Sequence, residues 1–153
     1  MDAIVFLAGL LEAYGLLGLA LVAFFSVSLL PWPSEPFIIL AIAYYPAWQV
    51  FLVVLIASLA SSTVNYVVGL KGIRTWLVKR DPKDEKKAEK WMRKWGRYAL
   101  LLSPWVPFFG DMLPIAAGTT KMNWGEFLFF AAVGRVVKTA AVIGLGATLL
   151  SLF

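Results

Sequence analysis

Four ionisable residues of this 153-residue chain are predicted to lie at membrane depth. They are two acids and two bases: Glu35, Asp111, Arg135 and Lys138. A charged side chain at the centre of a bilayer costs about 2.5–3.5 kcal/mol on insertion scales. Two carboxylates and two cations in such a setting predict mutual pairing. The step from Arg135 to Lys138 is i, i+3, which directs both cations to one side of a helix.

Two kinds of chemistry fit this set of charges. In the first, the ion pairs only lock neighbouring helices together. In the second, the cations attract a phosphate-bearing headgroup while Glu35 or Asp111 changes protonation, because an isolated buried carboxylate tends to become neutral. Asn65 is a further candidate for lining such a site. A carboxylate pair of the aspartic-protease kind is an enzyme alternative, but the supporting hydroxyl and glycine geometry is not identifiable, and we expect no enzyme.

The composition is that of a membrane protein. Hydrophobic residues make up 61% of the chain and charged residues 15%, against about 45–50% and about 25% in soluble domains. Histidine and cysteine are both absent, which excludes thiol nucleophiles, disulfides, imidazole bases and His/Cys metal sites. We therefore expect no metal site and no cofactor. The first residues lack the features of a secretory signal, so we expect them to be retained in the fold.

Two segments, 48–69 and 124–150, are long enough to cross a bilayer, which takes about 20 apolar helical residues. The segments before them are broken by prolines into arms too short to cross. We predict that each forms a re-entrant hairpin with its tip at mid-membrane, where irregular backbone needs protein or water around it. One long kinked helix per segment is the alternative.

The whole chain is thus predicted to be a single all-α membrane domain, residues 1–153. Its predicted order is a helix start at 1–15, hairpin 1 at 16–45, a transmembrane helix at 46–70, a basic segment at 71–97, hairpin 2 at 98–120 and a transmembrane helix at 121–150. The predicted tip residues are Pro31, Pro33, Ser34, Pro107 and Gly110. Proline ends a helix because it lacks the amide donor and clashes with the preceding turn.

The two hairpin-plus-helix units match each other with a shift of 76 positions. The shift superimposes a tip proline, a tip acid and the tryptophan that opens each long helix: Pro31 on Pro107, Glu35 on Asp111 and Trp48 on Trp124. One crossing helix and the basic segment separate the hairpins, so the second unit is expected to be inverted relative to the first. In transporters, inverted repeats bring interrupted elements together at the midplane, where substrates bind.

Residues 71–97 carry 11 of the 14 basic residues and 4 of the 9 acidic ones, a net charge of +7 (11 minus 4). The positive-inside rule predicts that this segment is cytoplasmic. Hairpin 1 would then enter the membrane from outside and hairpin 2 from the cytoplasm. The side on which the N-terminus lies is left open.

An amphipathic helix is predicted within the basic segment, beginning at Asp81 and Pro82 and ending at Gly96. Its apolar positions recur at i, i+3, i+4 and i+7: Ala88, Trp91, Met92 and Trp95. The opposite face is rich in basic residues such as Arg93 and Lys94. We expect this helix at the membrane interface, where it could bind anionic lipids, serve only as a topology anchor or dock a soluble partner. Nucleic acid is not an expected partner.

Two stretches carry a resemblance to a known family. "PWPSEPFIILA" resembles the first re-entrant motif of the DedA superfamily, also called VTT or SNARE-associated Golgi proteins. "RYALLLSPWVPFFGDMLPIAAGTTKMNWGEFLFF" resembles its second motif, in particular that of the YqaA-like branch. The resemblance covers about residues 20–140 and implies two opposed re-entrant hairpins with inverted symmetry. It also implies lipid translocation: undecaprenyl phosphate recycling or phospholipid flipping in bacteria, and scrambling in eukaryotic relatives.

The resemblance carries over to single residues only in part. Glu35 matches the acidic residue of the first motif. The better-studied branch has an arginine at the second tip, whereas this chain has Gly110 and Asp111 there, so that Arg135 is the candidate to supply the missing positive charge.

The predicted function is therefore the transfer of an anionic, phosphate-bearing lipid between leaflets by a multi-pass protein of the bacterial or archaeal inner membrane. The alternative is a proton-coupled carrier of a small solute or ion that uses the same cleft. Membrane lipids are the expected partners, and a homodimer is a further expectation.

Overall fold

The computed structural model describes residues 2–28, 34–71, 82–106 and 112–152. Within these ranges all regular structure is helical and no strand occurs. The α-helices, in chain order, are α1 (Asp2–Ser28), α2 (Glu35–Tyr44), α3 (Ala47–Lys71), α4 (Pro82–Trp95), α5 (Ala99–Leu102), α6 (Met112–Thr119) and α7 (Trp124–Ser151). Two short 3-10 helices, Gly96–Tyr98 and Ser103–Trp105, flank α5.

Among the described helices, α3 and α7 have the length and apolar composition needed to cross a membrane, and α1 has them only when its residues are counted across the bend at Gly15. Helix α3 has 25 residues and α7 has 28, which corresponds to about 37 and 42 Å of helix. Both exceed the hydrocarbon core of about 30 Å. The predicted crossing segments, 48–69 and 124–150, fall inside these two helices. The chain is therefore a multi-pass membrane protein.

Helix α1 is bent, because Gly15 interrupts it with φ 57° and ψ −136°. Glycine adopts this left-handed conformation without steric cost. The bend is sharp: a Cβ placed on Gly18 would lie 2.7 Å from the carbonyl oxygen of Leu10, eight residues earlier. Residues eight apart in a straight helix are separated by about 12 Å. The bend divides α1 into two short arms, 2–14 and 16–28, and coincides with the predicted start of hairpin 1.

The second arm of α1 and helix α2 run side by side in opposite directions. A Cβ on Gly15 would lie 3.0 Å from the hydroxyl oxygen of Tyr45, so the chain after α2 returns to the level at which the arm begins. Both helices contribute to one apolar core, in which Leu19 and Phe37 are buried. In the described residues the segment therefore consists of two antiparallel helices. Residues 29–33, which hold its predicted tip, lie outside the described residues.

The region of predicted hairpin 2 consists of shorter pieces. Helix α5 and its two 3-10 helices come first and α6 second, while residues 107–111 between them lie outside the described residues. Helix α6 ends in a turn that leads directly into α7, closed by the Met122 amide, which donates to the Ala117 carbonyl at 3.0 Å.

The closest helix crossing is that of α3 with α6. A Cβ on Gly69 would lie 2.0 Å from the carbonyl oxygen of Ile115, and a Cβ on Gly118 would lie 2.0 Å from that of Tyr66. The two backbones are therefore in direct contact, which small residues permit between membrane helices. Tyr66 extends the junction to α7, since its ring stacks on Phe127 at 4.4 Å and its hydroxyl donates to the Met122 carbonyl.

Helix α4 is held to this junction by its apolar side. Ala88 and Met92 are buried, and Trp91 packs against the same core as Tyr66 and Phe127. Helix α4 ends at Trp95, and the next residue, Gly96, has a φ of 55°. The predicted amphipathic helix agrees with α4 in extent, although Asp81, its predicted first residue, lies outside the described residues. Part of its apolar face, Ala88 and Met92, packs on α6 of the same protein.

Candidate functional site

An ion pair joins the first turn of α2 to the middle of α7. Lys138 Nζ lies 2.7 Å from Glu35 Oε1, and both side chains are partly exposed, with 27% and 36% of their surfaces accessible. Lys138 is the fifteenth of the 28 residues of α7 (124 to 138), about 21 Å from its start. A carboxylate at the N-terminal end of α2 also interacts favourably with the helix dipole. The pairing predicted from the sequence thus exists for these two residues.

Arg135 is the most deeply buried charged residue in the described part of the chain, with 6% of its surface exposed. It lies one turn before Lys138 on α7. An arginine stays protonated in proteins, so a positive charge is held inside the helix bundle close to the ion pair. We call Glu35, Arg135 and Lys138 the charged cluster.

Helix α3 presents a buried polar stripe, Ser58, Ser61, Ser62 and Asn65. These residues recur at three- and four-residue intervals and so share one face. Ser61 Oγ donates to the Phe24 carbonyl of α1 at 2.9 Å. Asn65 has 3% of its surface exposed. Ser61 is the fifteenth of the 25 residues of α3 (47 to 61). The stripe, like the charged cluster, therefore lies near the middle of a long helix.

Ser62 differs from its neighbours because its hydroxyl oxygen is buried and has no hydrogen-bond partner among the described residues. An unsatisfied buried hydroxyl is costly.

We expect Ser62→Ala to leave the thermal stability of the detergent-solubilised protein unchanged or raise it. Ser61→Ala, which removes the bond to Phe24, should lower the free energy of unfolding by about 1 kcal/mol. Equal destabilisation by both substitutions would contradict the different bonding of the two hydroxyls.

Two segments approach the middle of α7 from its opposite ends. Helix α2 lies along the C-terminal half, from Lys138 at its start to Gly146, where a Cβ would lie 2.9 Å from Ile42 Cδ1. The segment that begins at Arg97 lies along the N-terminal half. Its contacts run from Glu126, 3.3 Å from Arg97, to Gly134, where a Cβ would lie 2.9 Å from the Leu101 carbonyl. Gly134 and Lys138 are about 6 Å apart along the helix axis, so the two segments come within about one turn of each other.

The sequence did not single out Arg97 and Glu126. Arg97 Nη1 donates to Glu126 Oε1, with about half of each side chain exposed, and the guanidinium lies 5.6 Å from the Phe130 ring. The pair fastens the start of the α5 region to the first turn of α7. The one sequence feature that pointed to this pair is the position of Glu126 in the first turn of a helix, where a carboxylate interacts favourably with the helix dipole.

Several predicted site residues fall outside the described residues: Pro31, Pro33, Pro107, Gly110 and Asp111. Ser34 is described, and its carbonyl oxygen accepts from the amides of Phe37 and Ile38, both at 3.1 Å, so it is the N-cap residue of α2. Whether Asp111 joins the charged cluster stays a prediction. Of the predicted interface residues, Arg93 and Lys94 are exposed, Trp91 is partly buried and Trp95 is half exposed.

Long apolar helices that carry a few charged residues define a class: multi-pass helical membrane proteins. The VTT domain matches residues 32–148, and the chain belongs to this family, the DedA superfamily of the predicted resemblance.

Individual relatives agree with this membership. Inner membrane protein YqaA of Escherichia coli is 29% identical over 133 residues, covering 86% of this chain and 90% of that protein. An uncharacterized protein of Haemophilus influenzae is 31% identical over 144 residues, covering 90% and 91%. Undecaprenyl phosphate transporter A of Staphylococcus aureus is 31% identical over 72 residues, covering 47% of this chain and 36% of that protein. No solved structure matches the chain.

Proposed function

We propose that this protein moves an anionic, phosphate-bearing lipid between the two leaflets, with the headgroup passing through the charged cluster. The observation that carries the proposal is the Glu35–Lys138 ion pair at the middle of α7, with the buried Arg135 one turn away. Charge at mid-membrane is costly. An apolar contact would hold α2 against α7 without that cost, so a role in binding accounts for the charges better than a role in packing.

The chemistry of the cluster suits a phosphate. Arginine binds phosphate oxygens through its planar set of donors, and lysine does so as a point charge. In the protein without a bound headgroup, Glu35 forms an ion pair with Lys138. A phosphate headgroup would displace Glu35 and bind to Lys138 and Arg135, and protonation of the freed carboxylate would keep it from competing. Return of Glu35 to Lys138 would then release the headgroup.

We further propose that both hairpins are re-entrant and related by inverted symmetry. The approach of α2 and of the Arg97 segment to α7 from opposite ends supports this. A second support comes from the helix crossings. Gly69 of α3 meets Ile115 of α6, and Gly146 of α7 meets Ile39 of α2. The glycines are 77 positions apart (146 minus 69) and the isoleucines 76 (115 minus 39). The short helix of each unit therefore packs on the long helix of the other.

The substrate class follows from the cations and from one relative. The name of the Staphylococcus aureus relative includes undecaprenyl phosphate, and a polyprenyl phosphate presents the kind of group that Arg135 and Lys138 would bind. A phospholipid with a phosphodiester headgroup is the other member of this class. We also propose that the basic segment 71–97 is cytoplasmic and that the protein lies in the inner membrane, as its relative YqaA is named.

The test is a leaflet-exchange assay with the purified protein in unilamellar vesicles. A fluorescent polyprenyl phosphate or phosphatidylglycerol placed in both leaflets is reduced chemically from outside, and the protein should make the inner-leaflet lipid accessible. The corresponding neutral lipid alcohol should exchange no faster than in protein-free vesicles. Movement of protons or ions without any lipid exchange would contradict the proposal and favour a carrier of small solutes or ions.

A further inference from the structure

Helix α4 uses its apolar side within the protein. Ala88 has 1% and Met92 has 5% of its surface exposed, both in the core that α4 shares with α6. A free amphipathic helix inserts this face between lipids. In α4 the Ala88 and Met92 part of that face is already buried, while Trp95 is half exposed, so the polar side provides most of the free surface of the helix.

The polar side of α4 is strongly basic. Fourteen residues, Pro82–Trp95, contain six basic and three acidic ones, a net charge of +3 (6 minus 3). Four exposed cations lie on one stripe of the helix, at i, i+4, i+7 and i+8: Lys86, Lys90, Arg93 and Lys94. We call these four residues the basic stripe. Such a concentration of one sign of charge favours a partner of the opposite sign.

Helix α4 lies at the level where α3 ends and α7 begins. The core beneath α4 includes Tyr66 and Phe127, which lie near the last turns of α3 and in the first turn of α7. Half-exposed aromatic side chains surround this level, with exposed fractions of 49% for Trp95, 55% for Tyr98 and 45% for Trp124. Tryptophan and tyrosine are enriched where the hydrocarbon core meets the headgroups.

We infer that the basic stripe binds the acidic headgroups of phospholipids in the adjacent leaflet. The charge complementarity and the neighbouring aromatic side chains both favour a lipid surface over a soluble partner. Because α4 is packed on α6, and α6 on α3, headgroups bound to the stripe stabilise the second unit of the fold. This binding is separate from the charged cluster inside the bundle and does not depend on the transport that we propose.

The experiment is a thermal-unfolding titration of the full chain in neutral detergent micelles. Phosphatidylglycerol, phosphatidylcholine or inorganic phosphate is added, and the melting temperature is recorded at low and at high salt. Phosphatidylglycerol should raise the melting temperature, phosphatidylcholine and inorganic phosphate should do so much less, and high salt should reverse the effect because surface charges are screened.

A variant with Lys86→Gln, Lys90→Gln, Arg93→Gln and Lys94→Gln should melt like the unchanged protein in phosphatidylcholine. Its apparent affinity for phosphatidylglycerol should fall by at least about tenfold, since each basic residue near an acidic surface contributes to binding.

The matched control, Lys71→Gln with Lys121→Gln, removes two exposed cations outside α4 and should keep the response. Full response in the four-residue variant, or an equal response to phosphatidylcholine, would overturn the inference. A shift with inorganic phosphate equal to that with phosphatidylglycerol would also overturn it, since it would indicate an anion site.

Discussion

Replacement of Glu35 by glutamine is expected to lower lipid exchange by at least about tenfold, which corresponds to about 1.4 kcal/mol in the barrier. The amide can still accept a hydrogen bond from Lys138, so α2 should stay on α7 and the protein should remain folded. What changes is the charge. Without the carboxylate, the positive charge of Lys138 is no longer balanced, and a bound phosphate headgroup is no longer displaced at release.

Glu126→Gln is the matched control for this experiment. It makes the same chemical change in another ion pair of α7, but the pair with Arg97 is half exposed and lies in the first turn of the helix. Exposed ion pairs contribute little to stability, so this variant should exchange lipid at the rate of the unchanged protein. The assay is the vesicle reduction experiment, with melting temperature as the check on folding. If the Glu35→Gln variant exchanged lipid at the rate of the unchanged protein, this result would contradict the proposed site.

A double variant separates a transport site from a structural lock. With Glu35→Gln and Lys138→Gln together, no charge is left unpaired at this contact, and two glutamines can hydrogen-bond to each other. If the pair only holds α2 on α7, the double variant should recover both stability and exchange. If Lys138 binds the headgroup, stability should recover while exchange stays low, and we expect this second result.

Among substitutions of alanine for a described glycine of α6 or α7, we expect Gly118→Ala to destabilise the protein most. The new Cβ would lie 2.0 Å from the Tyr66 carbonyl oxygen and 2.7 Å from the Leu70 amide nitrogen. Both neighbours are backbone atoms, so the two helices must move apart. Overpacking of this kind costs about 1–3 kcal/mol or more, and we expect the upper part of this range, a fall in melting temperature of about 5–10 °C.

Gly144→Ala is the control for the added methyl group. Nothing lies within 4 Å of the position its Cβ would take, and alanine favours a helix over glycine by up to about 1 kcal/mol. Its melting temperature should be unchanged or higher. Thermal unfolding of both variants in the same detergent provides the comparison. Equal stability of the two would mean that α3 and α6 are not in backbone contact.

Much of the local structure could be predicted from residue order. The long helices α3 and α7 were predicted within two residues at each end, because an apolar run with few breakers is a local signal. Helix α4 followed from its i, i+3, i+4, i+7 pattern. The bend at Gly15 coincides with a predicted boundary, although glycine alone did not indicate its sharpness.

Contacts between residues that are far apart in the chain were harder to predict from the sequence. The sequence predicted that acids and bases at membrane depth would pair, but it could not assign Glu35 to Lys138, because both cations of α7 share one side of the helix. The order of residues also does not show that the Ser62 hydroxyl has no hydrogen-bond partner in the described residues. It missed the contact of Arg97 with Glu126, since 29 residues separate them in the chain.

The sequence by itself determined that this is a helical membrane protein, where its long helices run and which charges lie among apolar residues. These properties depend on composition and on periods of a few residues, which any short stretch reveals. Only the tertiary structure decided that α4 covers α6 with its apolar face, that Gly69 and Gly118 let two backbones touch, and that Lys138 holds the start of α2. Each of these depends on which surfaces meet, and that choice is made by close packing across the whole chain.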